Sequence, residues 1–83
     1  MNNNINIYPN PSNGIFIISI EIDNISYGSI DIYNSTGSKV YIKNLQNNTD
    51  FVHTIDLSTM PKGMYFVKII VNEKSFTNEL IIE

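Results

Sequence analysis

Cysteine, arginine, tryptophan and alanine are all missing from this 83-residue chain. Without cysteine there are neither disulfides nor thiolate metal sites, so stability must come from apolar packing and a hydrogen-bonded framework. Without arginine, positive charge rests on Lys39, Lys43, Lys62, Lys68 and Lys74, scattered along a chain of net charge −3. That excludes the basic stripe that releases counterions from nucleic acid. It equally excludes electrostatic docking on an anionic membrane. No apolar run approaches the ~20 residues of a membrane-spanning helix. The asparagines after Met1 do not form the basic and apolar regions of a signal peptide. Helical periodicity is missing too: no segment sustains an apolar repeat of 3.6.

What is present is isoleucine, asparagine and an apolar repeat of two. At 9.5 kDa the chain is one domain, with roughly 5,000 Å² of folded surface against about 14,000 Å² unfolded. That allows a thin core. "INIY" (Ile5 to Tyr8) reads as a first strand and "IFIISIEID" (Ile15 to Asp23) as a second. In the second, Phe16, Ile18, Ile20 and Ile22 share one face. "SIDIYN" (Ser29 to Asn34) follows, with Ile30 and Ile32 inward and Asp31 outward. "STGSK" (Ser35 to Lys39) reads as a tight turn in which Gly37 supplies positive φ. "KVYIK" (Lys39 to Lys43) is the return strand and "NLQNNTD" (Asn44 to Asp50) a polar loop. "FVHTIDL" (Phe51 to Leu57), "MYFVKIIVN" (Met64 to Asn72) and "FTNELIIE" (Phe76 to Glu83) complete about seven strands. Short connections between them permit antiparallel neighbours only. The expected fold is therefore all-β: a small antiparallel, immunoglobulin-like sandwich.

Catalytic chemistry finds little to work with. His53 is the only histidine, and Asp50 and Asp56 beside it lack metal-ligand spacing. No GxSxG elbow occurs. Asp23, Asp31, Asp50 and Asp56 fall at strand ends or on outward faces, where carboxylates are solvated. A chain this short also leaves no depth for a catalytic cleft. No enzyme activity, cofactor or metal is expected. Tyr27, Tyr33 and Tyr41 offer the one alternative binding surface, an aromatic platform of the kind a carbohydrate-binding or adhesion module uses. Sheet-face tyrosines are the commoner reading.

"YPNPSNG" (Tyr8 to Gly14) holds two of the three prolines. Pro9 cannot donate to a ladder and holds Tyr8 extended. Asn10-Pro11 opens a turn, and Asn13-Gly14 supplies positive φ where the chain re-enters a strand. Locally this is a rigid corner, expected to pass the chain from one sheet to the other.

In order along the chain, "YPNPSNGIF", "IDIYNSTGSKVY", "IDLSTMPKGMYFVKI" and "FTNELIIE" resemble the C-terminal sorting domain of the type IX secretion system of Bacteroidetes. The likeness runs from Ile7 to Glu83, with residues 1–6 as a leading segment. Pro9, Asn10, Pro11 and Gly14 match the first motif, and Gly37 the hairpin glycine. Asp56 and Leu57 match the "DLS" element, and Gly63 and Tyr65 the "GxY" element. Lys68 falls at a common lysine, and Leu80, Ile81 and Ile82 match the final apolar strand. In place of the basic residue usual before that last run, this chain has Asn78 and Glu79. The resemblance implies a seven-stranded sandwich at the end of a larger cargo. It implies export through the periplasm and outer membrane by the type IX machinery, then removal by a sortase. The cargo's destination is outside the cell or on its surface. Weakly charged sheet edges add one further expectation, that the domain alone dimerises or swaps a terminal strand.

Overall fold

The computed structural model describes the backbone of residues 3–83 and the side chains of residues 5–21, 27–45 and 52–83. Its strands are β1 (Asn3–Tyr8), β2 (Ile15–Asn34), β3 (Lys39–Asp56), β4 (Gly63–Val71) and β5 (Lys74–Ile82). β2 and β3 are too long to serve one layer. Their shared ladder shifts register between Glu21 and Ile25. Before that shift, β2 lies between β1 and residues 50–56 of β3. Beyond it, β2 lies between residues 39–48 of β3 and β4, and β4 pairs onward with β5. The outcome is two antiparallel sheets of three and four strands, seven strand segments in all.

Two local expectations are corrected. The polar loop expected at Asn44–Asp50 is strand: Asn44 pairs with Ser29, Leu45 with Gly28 and Asn48 with Ile25. Ladders are made by backbone groups, and polar side chains leave those intact. The Tyr8–Gly14 corner does not carry the chain between sheets either. Ile7 pairs with Ile18 and Tyr8 with Ile17, so the segments it joins are neighbours in one sheet. The long bent strands make the crossing instead.

Between the sheets lies the core: Phe16, Ile18, Ile20, Ile30, Ile32, Leu45, Ile55, Leu57, Tyr65, Val67, Ile69, Val71, Leu80 and Ile82 are buried. Strand geometry sends alternate side chains to opposite faces, so the period of two accounts for these residues; Leu45, expected in a polar loop, is the exception that the sequence reading missed. Ile22, read on the Phe16 face, and Phe51, read at the start of its strand, lie outside the described side chains. The accessible surface is 4969 Å², in line with the size scaling of about 5,000 Å². Gly28 sits between Leu45 and Val71 in two ladders. A Cβ there would lie 2.3 Å from the carbonyl oxygen of Ile70, so only glycine fits.

Candidate functional site

One end of the sandwich gathers termini of all five strands. There β1 stops, β2 and β4 meet Asp56 and Ile82 at their first residues, and Asn34 pairs with Tyr65. Residues 9–14, 35–38, 57–62 and 79–83 therefore cluster at this pole. It holds every motif residue singled out in the sequence except Lys68. Lys68 lies mid-strand in β4, between Asp31 and Thr77.

The proline corner is fastened to the last strand. The Asn10 side chain acts as a spare peptide group. Its Nδ2 donates to the carbonyl of Glu79 at 2.8 Å, and its Oδ1 accepts from the amide of Ile81 at 3.0 Å. Ser12 continues the pairing through its backbone. Its N–H donates to Ile81 O at 2.9 Å, and its carbonyl accepts from Glu83 N–H at 2.8 Å. This makes a parallel bridge, Ser12 to Ile82, where the other pairings among the described residues are antiparallel. Pro9 and Pro11 flank Asn10, are exposed, and have no N–H to compete for these acceptors. Glu79 takes part through its main chain. The bond therefore does not depend on the Glu79 carboxylate.

The corner is also fastened to the end of β3. Gly14 has φ +107°, and a Cβ on it would lie 2.6 Å from Ser58 Cα. Its carbonyl accepts from Leu57 N–H at 2.7 Å. Asp56 folds over the next turn, with Oδ1 accepting from Ser58 Oγ at 2.5 Å and from Ser58 N–H at 2.9 Å. The Ser58 hydroxyl, then its amide, hold the Asp56 carboxyl below the usual carboxylate range. Leu57, next in line, is buried in the core.

The remaining motif residues shape the two turns beside this clasp. Asn34 Oδ1 accepts from Thr36 N–H at 3.1 Å and Ser38 N–H at 2.9 Å, closing the 35–38 turn. Gly37 follows with φ +91° in open space. The Tyr65 ring is buried while its hydroxyl donates to the carbonyl of Pro61, bracing the turn before Gly63. Between the turns lies a shallow cavity of about 240 Å³, lined by residues that include Asn34, Met60, Pro61, Met64 and Tyr65. Leu80 and Ile82 point into the core, and Ile81 is exposed on the outer face.

Ser12, Asn34 and Ser58 were not singled out from the sequence. Ser12 follows Pro11, Asn34 stands three residues before Gly37, and Ser58 stands two after Asp56, spacings at which polar side chains close turns. Asp31 departs from its expected solvated setting. It faces outward but is only 7% exposed. Lys39 Nζ stands 3.8 Å from its Oδ2 and lies over the Tyr33 ring, while Oδ1 has no partner among the described residues. The three tyrosines do not form one platform. Tyr41 packs against the core, which raises its pKa by desolvation, whereas Tyr27 is exposed. His53 is half-buried opposite Ile18 in the β2–β3 ladder. Among the described residues, no three acidic or histidine side chains gather as a metal site.

The class defined by this arrangement is a two-sheet sandwich whose turn motifs clasp its own last strand. The family of secretion system C-terminal sorting domains matches residues 6–83, and the chain belongs to that family, the sorting domains of type IX secretion. It is also similar to ulvan lyase NLR42 of Nonlabens ulvanivorans, with 32% identity over 79 residues. That match covers 94% of this chain but 14% of the lyase. The family is one of sorting signals and not of catalysts.

Proposed function

We infer that this chain is the folded address of a larger secreted protein. Residues 7–83 act as the transferable unit, and a cargo precedes them in the parent protein. The type IX machinery reads the domain in the periplasm and passes the cargo through the outer membrane. A sortase then detaches the domain, and the cargo is released or held at the cell surface. The observation that carries this reading is the convergence of the motif segments at one pole. Pro9 to Gly14, Asp56 to Leu57 and Leu80 to Ile82 are distant in sequence, yet they form one hydrogen-bonded unit. A motif set of this kind encodes a shape, and a shape can serve as an address where no chemistry is performed. The small share of the matched lyase fits an appended module.

The test is a fusion of an exported reporter to residues 7–83 in a type IX-competent host. The expected result is reporter in the medium or on the cell surface. Periplasmic retention of a correctly folded fusion overturns the reading.

A further inference from the structure

β5 closes one edge of the four-stranded sheet. In an antiparallel ladder, the N–H and C=O of each residue point the same way, and successive residues alternate. Ile81 directs both groups out of the sheet, towards Asn10 and Ser12. The register from Gly63–Ile82 to Val71–Lys74 runs without a shift. Ser75, Thr77 and Glu79 therefore face outward as well. The corner covers Glu79 O, Ile81 N–H, Ile81 O and Glu83 N–H. No described residue pairs with the outward groups of Ser75 and Thr77. The edge is thus half strapped and half open, and the two halves are contiguous.

We propose that the β5 edge is a strand-addition surface for an extended segment of another polypeptide, with Asn10–Ser12 as a strap that yields to it. The parallel bridge between Ser12 and Ile82 shows that the edge already accepts an extended segment. An incoming strand first pairs at Ser75 and Thr77, then displaces the strap one hydrogen bond at a time, as strand exchange needs an open toehold. The strap is weak enough to yield. Asn10 is exposed and holds two of the four bonds with a single side chain. The identity of the partner as export machinery rests on the sorting reading; the existence of the edge does not.

The test pairs the purified chain with a synthetic peptide copying Lys74–Glu83, alongside the same peptide N-methylated at every residue, so that neither of its edges can extend a ladder. In Asn10→Ala, amide exchange at Ile81 and Glu83 speeds up, and the plain peptide binds at least about tenfold more tightly than to wild type. The methylated peptide binds neither. Thr77→Pro removes an outward N–H and no β4 bond, and it lowers peptide binding. Equal binding to wild type and Asn10→Ala overturns the proposal, as does binding of the methylated peptide. In the reporter fusion, Thr77→Pro lowers export with the melting temperature kept. Wild-type export from that variant removes the machinery as the partner. If the wild-type fusion itself stays in the periplasm, the sorting reading fails and the peptide experiment alone decides the edge.

Discussion

Gly14 and Ser58 touch so closely that a methyl group on the glycine would lie 2.6 Å from Ser58 Cα. This contact joins the proline corner to the end of β3, and Gly14 also holds a backbone conformation that other residues rarely adopt. Gly14→Ala combines a backbone clash with that strain and is expected to cost roughly 3 kcal/mol or more. Gly37→Ala meets only the strain, since nothing lies within 4 Å, and should cost about 1–2 kcal/mol. Urea unfolding of the two variants checks the ranking. Equal losses contradict the contact.

Asp56 predicts an acid-sensitive pole. Its folded pKa is lowered, first by the Ser58 hydroxyl and then by the Ser58 amide. A carboxyl of this kind adds stability above its unfolded pKa of about 4. That contribution fades as pH falls through the lower folded value. Asp56→Asn keeps an acceptor for Ser58 and discards the titration. Melting temperature followed from pH 6 downward should fall less in Asp56→Asn than in wild type. Parallel curves refute the assignment.

Leu80 and Ile81 are adjacent and face opposite ways. Leu80 is fully buried and Ile81 is 39% exposed. Leu80→Ala leaves a cavity and should cost about 2–5 kcal/mol. Ile81→Ala keeps the backbone bonds to the strap and should stay within about 0.5 kcal/mol of wild type. In the reporter fusion the two variants separate fold from surface. Unimpaired export of Ile81→Ala counts against a side-chain contact there, while export lost with an unchanged melting curve locates one.

Asp31 predicts a substitution that does no harm. One carboxylate oxygen is buried without a partner among the described residues, and the Lys39 contact is long, at 3.8 Å. Lys39 is 43% exposed, so losing its partner leaves it in water. Asp31→Leu removes a costly burial and offers an apolar side chain to the sheet. Stability should match or exceed that of wild type, as for other buried charges replaced by apolar residues of similar volume. A loss of more than about 1 kcal/mol in chemical denaturation shows a partner for Asp31 that the structure does not.

By itself the sequence determined the strands and their inward faces. Alternating Phe16, Ile18 and Ile20, and Tyr65, Val67 and Ile69, can bury only one side of a pleated strand, so the period of two decides the layer. It also determined the turns at Gly14 and Gly37, because few other residues tolerate their positive φ. The motif order was legible for the same reason, since each element is a local turn or strand. Continuity through Asn44–Asp50 was not legible, because it depends on backbone bonds to β2 that polar side chains do not announce. The burial of Asp31 was hidden as well, since alternation gives a direction and not what lies over it. Only the tertiary structure decided that the corner at Tyr8–Gly14 stays beside its own sheet and reaches across to the last strand. The partners Asn10 and Ile81 are 71 residues apart, and no local rule connects a carboxamide to a strand edge at that distance. The edge is made by β5 pairing with β4, and it is the packed tertiary structure that sets the proline-stiffened corner against it as a strap.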